Sequence, residues 1–313
     1  MLTTAFVFPG QGSQSVGMLG ELASRYPLVT DLFATVSERL GYDVWALVQQ
    51  GPEERLNQTE HTQVAVLTAD VAVYKILQQC TNNVPTMMAG HSLGEYAALV
   101  CADAISLPDA AALVARRGQL MQDTVPLGQG AMAAIIGLTD DQVQLICANA
   151  SSPQSQVSPA NYNAIGQVVI AGHTSAVEKA IGLADEAGAR MAKQIPVSVP
   201  CHCSLLTNAA EAFADDLQQA AFKVPTRPVI SNVDLSVYQS VDQIRSLLTE
   251  QLYRPVRWVE TIQLMKNNGI ECIVECGPGK VLSGLIKRID KSINALSIHD
   301  SVSLDSAITQ LKG

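Results

Sequence analysis

Residues 128–197 break the rhythm of the chain and limit its fold more than any other stretch. AMAAIIG (131–137) has the length and apolarity of a strand, and Thr139-Asp140-Asp141-Gln142 has the form of a capping box that opens a helix. Two strand-like runs follow, near 155–162 and at 166–171 (GQVVIA). Ser175-Ala176-Val177-Glu178 is a second capping-box pattern, opening a helix to about residue 187. Residues 190–199 close as a strand. The order is β-α-β-β-α-β, that of a ferredoxin-like unit. Pro126 and Gly128 mark its entry, and Pro196 and Pro200 its exit.

On either side, strands alternate with helices. TAFVF (4–8) reads as a buried strand stopped by Pro9-Gly10, and 17–40 as helix with a break near Pro27. Residues 62–80 carry apolar side chains at helical spacing, 86–89 are a short apolar run, and 109–122 form a further helix. After the unit come a helix (204–222), a strand PVISNV (228–233), helices over 241–253 and 257–268, a strand IECIVECG (270–277) and a helix over 280–290. Such alternation predicts a mostly parallel sheet. The fold class expected is α/β: an α/β-hydrolase-like large domain (1–127 and 198–313) with a parallel core, interrupted by the ferredoxin-like insert at 128–197.

Composition narrows the function. Hydrophobic residues make up 48% of the 313 and charged residues 16%, enough for a large buried core. A net charge of −9 argues against a general nucleic-acid or anionic-membrane binder. The seven cysteines follow no disulfide framework, which points to a reducing compartment. Cys201-His202-Cys203 suggests metal, but no second C-x-x-C or H-x-x-x-H supplies the remaining ligands, so no metal is expected. The N-terminal MLTTAFVFPG lacks the charge and length of a signal peptide, and no run of about 18 apolar residues exists to span a membrane. A cytoplasmic protein is expected.

Gly90-His91-Ser92-Leu93-Gly94 fits G-x-S-x-G between a predicted strand and a predicted helix. That context holds a serine on a strained turn with its oxygen exposed, at a helix N-terminus that favours developing negative charge. Ser92 is therefore a candidate nucleophile. Its base must reach the serine oxygen at about 3 Å, and an adjacent residue on a sharp elbow points elsewhere, so His91 is expected to pack around the pocket instead. Two candidates for the base remain open: His202 in SVPCHCSLL, and His299 beside Asp300 near the C-terminus.

Five segments occur in a telling order: Phe8-Pro9-Gly10-Gln11-Gly12-Ser13-Gln14, Gly90–Gly94, Arg117-Gly118, Ser198-Val199-Pro200-Cys201-His202 and Gly277-Pro278-Gly279-Lys280. On these the chain, from about residue 4 to 290, resembles the malonyl-CoA:acyl carrier protein transacylases of bacterial fatty acid synthesis. The resemblance implies that Ser92 carries the acyl group and that His202 is its base and acid. It implies that the main-chain carbonyl of Gln251 orients the imidazole, and that the backbone N–H groups of Gln11 and Leu93 form the oxyanion hole. Arg117 is implied as the group that grips the malonyl carboxylate, which acetyl-CoA lacks. Malonyl-CoA and an acyl carrier protein are the implied partners, with no cofactor and a monomeric enzyme expected.

The residue before the implied base is usually small, such as serine, and is Cys201 here; with Cys203 it reads as two small buried hydrophobes, the sharper alternative being that a group added to the Cys201 thiol blocks the pocket. Lys280, Lys287, Arg288 and Lys291 form a basic patch on an acidic chain, a candidate dock for an acidic carrier or CoA phosphates. The rival readings are an esterase or thioesterase using His299, a non-catalytic carrier-binding module, and the malonyl transferase of a polyketide or malonate decarboxylase system.

Overall fold

The computed structural model describes residues 3–126, 128–197 and 199–312; Ser198 of the fourth motif, and with it and Leu127 the expected segment joints, lie outside the described residues. Among the described residues nine strands run in chain order: β1 (Thr4–Phe8), β2 (Met87–Gly90), β3 (Gly130–Ile136), β4 (Val157–Ala164), β5 (Gln167–His173), β6 (Met191–Ile195), β7 (Val229–Ile230), β8 (Cys272–Cys276) and β9 (Asn294–Ile298). They form two sheets, a five-stranded parallel one ordered β7-β2-β1-β8-β9 and a four-stranded antiparallel one ordered β4-β5-β3-β6. The fold is thus mixed α/β, with a parallel core and a separate antiparallel subdomain.

The central strand shows why the larger sheet is parallel and covered on both faces. All five residues of β1 are buried. Phe6 and Phe8 pack into one apolar cluster while Ala5 and Val7 pack into another, the period-2 division of a strand with helices on both sides. The first cluster is filled by the 22-residue helix Thr59–Cys80, buried on most of its surface. In the smaller sheet, Ala131, Ala133 and Ile135 face the helices Asp140–Ala150 and Thr174–Glu186. Met132, Val169 and Ala171 face the other way, toward Cys201 and Cys203. That second face, not a helix, closes one side of the cavity described below.

Local signals hold in part. The capping box at 139–142 forms as expected, with Gln142 N–H donating to Thr139 Oγ1 at 3.3 Å and Thr139 N–H to Gln142 Oε1 at 2.9 Å. The one expected at 175–178 does not. The helix begins at Thr174, and the Ser175 hydroxyl is taken by Ser155 Oγ at 2.8 Å. The strand expected over 190–199 ends at Ile195, and PVISNV pairs only through Val229 and Ile230. Beyond residue 290, where the sequence offered no element, the chain adds β9 on the sheet edge and a terminal helix Ser301–Lys312.

Candidate active site

The register of the parallel sheet assembles the site. Phe8 pairs with Gly90, so the loops leaving β1 and β2 start side by side, at the strand ends where open α/β sheets bind ligands. His91 N–H then donates to Phe8 O at 2.9 Å. The turn between β2 and the helix Gly94–Cys101 is very tight. A Cβ on Gly90 would lie 1.8 Å from the Gly94 carbonyl carbon, and one on Gly94 would lie 2.0 Å from Phe8 O. Both positions therefore require glycine. Between them Ser92 has φ 53, a left-handed conformation costly for a side chain with a Cβ. Asn232, just past β7, helps hold this strain. It accepts from Ser92 N–H at 2.7 Å, and its Nδ2 donates to Gly90 O at 2.7 Å.

His202 comes from the segment that returns from the smaller sheet, and it too has a positive φ, 60. Its Nε2 lies 2.7 Å from Ser92 Oγ, and its Nδ1 lies 2.7 Å from the main-chain oxygen of Gln251. The carbonyl can only accept, so Nδ1 carries the proton and Nε2 presents a lone pair to the serine hydroxyl. His202 is 2% exposed. Burial, reinforced by the Arg117 cation, lowers its pKa to about 3 and keeps the ring neutral. His91 sits apart from this pair, on Asn163 Oδ1 at 2.8 Å and edge-on to Trp258. His299 faces Asp300, Nε2 to Oδ2 3.5 Å, and does not line the cavity with Ser92.

Arg117 lies in the helix Leu107–Thr124, 2% exposed. The next residue explains how it gets there. A Cβ on Gly118 would come within 2.6 Å of Glu60 Cα, so glycine lets this helix lie directly against Thr59–Cys80. Arg117 donates from one terminal nitrogen to Gln63 Oε1 at 2.8 Å and from the other to Gln251 Oε1 at 3.0 Å. Its Nε is buried without a partner, and among the described residues no carboxylate lies within ion-pair range. A buried guanidinium without a counter-ion is costly unless an anion joins it.

These groups share one cavity of about 720 Å³, lined by Gln11, Ser92, Leu93, Arg117, Asn161 and His202 among others. The backbone N–H groups of Gln11 and Leu93 donate to nothing among the described residues. Cys201 also lines the cavity, and burial raises its thiol to about 11. Val281, Leu282 and Leu285 of the helix Val281–Ile289 form part of the rim. Lys280, Lys287 and Arg288 lie exposed on or beside that helix, with Arg288 reaching Gln167 Oε1 of the smaller sheet at 2.5 Å. A serine, a neutral imidazole, two free N–H donors and a buried cation in one cavity can carry out acyl transfer from an anionic ester or thioester.

The comparison with known proteins agrees. The acyl transferase domain model matches residues 5–304. The malonyl CoA-acyl carrier protein transacylase of Escherichia coli K12 is 51% identical over 308 residues, 98% of this chain and 99% of the relative. The chain belongs to the malonyl CoA-acyl carrier protein transacylase family. A solved transacylase (fabD) of Coxiella burnetii superposes with a TM-score of 0.98 at 49% identity, over 100% of this chain and 98% of that one. A malonyl-transacylase solved in complex with a type II PKS acyl-carrier protein gives 0.96 at 48% identity, over 98% and 99%.

Of the residues expected from the sequence or implied by the resemblance, the structure brings Ser92, His202, Arg117, Gln11, Leu93 and Gln251 together, with His91 on the same cavity, and it adds three partners that were not expected. Glu95 is the one charged residue of an apolar helix, Gln63 ends the polar first turns of the helix Thr59–Cys80, and Asn232 follows a strand end at the ligand-binding edge of the sheet. Those placements were the available signals. Glu95 is fully buried, and burial raises its carboxyl to about 7. Among the described residues no three His, Cys, Asp or Glu side chains converge to hold a metal ion, and no helix is long and apolar enough to cross a membrane.

Proposed function

We propose that this chain transfers the malonyl group of malonyl-CoA to the phosphopantetheine thiol of an acyl carrier protein through a malonyl-Ser92 ester. His202 Nε2 takes the Ser92 proton as Oγ attacks the thioester carbonyl. The resulting oxyanion rests on the N–H groups of Gln11 and Leu93. The C–S bond breaks, and CoA leaves as the thiol with the proton from His202. The carrier thiol then gives its proton to His202, attacks the ester carbonyl, and Ser92 leaves with that proton, restoring the dyad. Gln251 O holds the ring through both halves and stabilises the imidazolium less than a carboxylate would.

The observation that carries the malonyl assignment is the unpaired buried cation. Arg117 spends two of its five N–H donors on Gln63 and Gln251. Three remain for a carboxylate, enough for a two-pronged grip. The cycle calls for no metal or redox cofactor. Residues 128–197 serve as an inserted subdomain between 1–127 and 198–313, and the enzyme acts as a cytoplasmic monomer in fatty acid synthesis. A carrier from a polyketide pathway is the second reading, supported by the relative solved with a type II PKS carrier. Mixing the protein with malonyl-CoA and weighing it intact tests the main reading. A malonyl adduct that disappears in Ser92→Ala supports it, and no adduct on the wild-type chain sinks it.

A further inference from the structure

One buried carboxylate next to the dyad has no part in the cycle above. Glu95 stands on the first turn of the helix Gly94–Cys101, fully buried. Its Oε2 accepts from Gln251 Nε2 at 2.6 Å and from Asn232 N–H at 3.3 Å, and its Oε1 accepts from the Tyr238 hydroxyl at 2.5 Å. Two of these partners, Gln251 and Asn232, lead into the site, while Tyr238 belongs to the core.

Gln251 is where they meet. Its main-chain oxygen lies 2.7 Å from His202 Nδ1, its Oε1 accepts from Arg117 at 3.0 Å, and its Nε2 donates to Ser92 O at 3.1 Å as well as to Glu95. A guanidinium can only donate and a carboxylate accepts, so the amide fits between Arg117 and Glu95 in one orientation only. Turned over, it would set an NH₂ against the cation and an oxygen against the carboxylate. The residue that aims the base therefore also holds the cation, and Glu95 fixes which way its amide faces.

We propose that Glu95 is a positioning residue that couples acyl recognition to base orientation. By holding the Gln251 amide nitrogen it turns the amide oxygen to Arg117 and keeps the carbonyl of the same residue on His202. The proposal rests on the roles given above to Ser92, His202 and Arg117. It separates from a merely structural role, in which Glu95 braces the elbow through Asn232. Loss of bracing lowers the active fraction for every acyl group alike, whereas loss of coupling changes the preference between acyl groups.

The test uses the full chain as wild type, Glu95→Ala, Glu95→Gln and Gln251→Met. Single-turnover formation of the Ser92 adduct is followed by intact mass with malonyl-CoA and with acetyl-CoA, normalised to the fraction that finally reacts. Glu95→Ala is expected to slow malonyl uptake about 10- to 100-fold, because it leaves buried donors unpaired. It should also lower the malonyl-to-acetyl rate ratio by about tenfold, as Arg117 loses its fixed partner. Glu95→Gln still offers Gln251 an oxygen and can donate to Tyr238, so it should stay within about threefold of wild type. Gln251→Met should shift the ratio as Glu95→Ala does. An unchanged ratio in Glu95→Ala, or a Glu95→Gln as slow as Glu95→Ala, overturns the proposal. Should Glu95→Ala fail to fold, Gln251→Met decides, and an unchanged ratio there overturns it. A wild-type chain that takes up no malonyl group defeats the transfer reading instead.

Discussion

Burial places the His202 imidazole at about 3, far below its ordinary 6.5, with the Arg117 cation adding to the effect. The base form is therefore present throughout the neutral range. In Glu95→Gln, which removes the carboxyl that burial raises to about 7, malonyl uptake should show no imidazole inflection between about pH 5 and pH 8, and a step near 6.5 in the kcat/KM profile of that variant would contradict this. Stability should follow the opposite limb. The unfolded imidazole binds a proton that the folded one refuses, so the contribution is complete above about 6.5 and falls away as pH drops toward 3. Cys201 is shifted the other way, up to about 11, so its thiol remains protonated at pH 7 and is a poor nucleophile. Iodoacetamide should label it at least about tenfold more slowly than a free thiol, and complete labelling should abolish malonyl uptake because Cys201 lines the cavity. Persistent Ser92 acylation on fully alkylated protein rules the blockade out. At this scale the G-x-S-x-G context singled out Ser92, but spacing left His202 level with His299, and the expectations for Arg117 and Gln251 rested on the family resemblance. Glu95, Gln63 and Asn232 were not singled out, because a polar residue's place in the sequence does not say which buried group it will face.

Elements carry those residues to one place, and glycine sets how closely they approach. Gly118 lets the Arg117 helix touch the backbone of Thr59–Cys80, so Gly118→Ala forces the two apart or strains them. Overpacking of this kind costs about 1–3 kcal/mol and should lower Tm by several degrees. It should also move the guanidinium, so acetyl-CoA should gain on malonyl-CoA in a competition assay even where the protein stays folded. The elements that sequence periodicity identified are those with long buried faces, such as Thr59–Cys80 and β8. It missed the short helices Val44–Gln50 and Glu53–Leu56, which pack into the core, and two elements at the edge. β9 (NALSI) has one buried residue and four that are exposed or half-buried, so its apolar signal is thin, and only pairing with β8 makes it a strand. The terminal helix Ser301–Lys312 buries just Leu304 and Ala307, and its start rests on Asp300 accepting from Ser303 N–H at 2.7 Å. Ser175 failed as a cap for a related reason: its hydroxyl went to a tertiary partner, Ser155.

At the scale of the whole molecule, the two sheets enclose the cavity between them, and its rim carries a cluster of positive charge on an acidic chain. The helix Val281–Ile289 lines that rim with Val281, Leu282 and Leu285, while Lys280, Lys287 and Arg288 stand exposed on or beside it. The chain as a whole is −9, so an acidic partner is repelled at most approaches and attracted here. If an acyl carrier protein docks on this rim, its affinity should depend on these charges. Lys287→Glu with Arg288→Glu reverses two charges there without touching the Ser92–His202 pair. The KM for the carrier should rise about tenfold at low salt while the KM for malonyl-CoA changes by less than about twofold. Because exposed charges are screened over about 8–10 Å, the difference between wild type and variant should shrink as salt is raised to 0.5 M. A matching rise in the KM for malonyl-CoA would assign the patch to CoA phosphates instead, and no change in either would leave the rim without a docking role. The contact of Arg288 with Gln167 adds a control. Gln167→Ala frees that guanidinium without changing charge, and if the patch works through its field, the carrier KM should stay within about twofold of wild type.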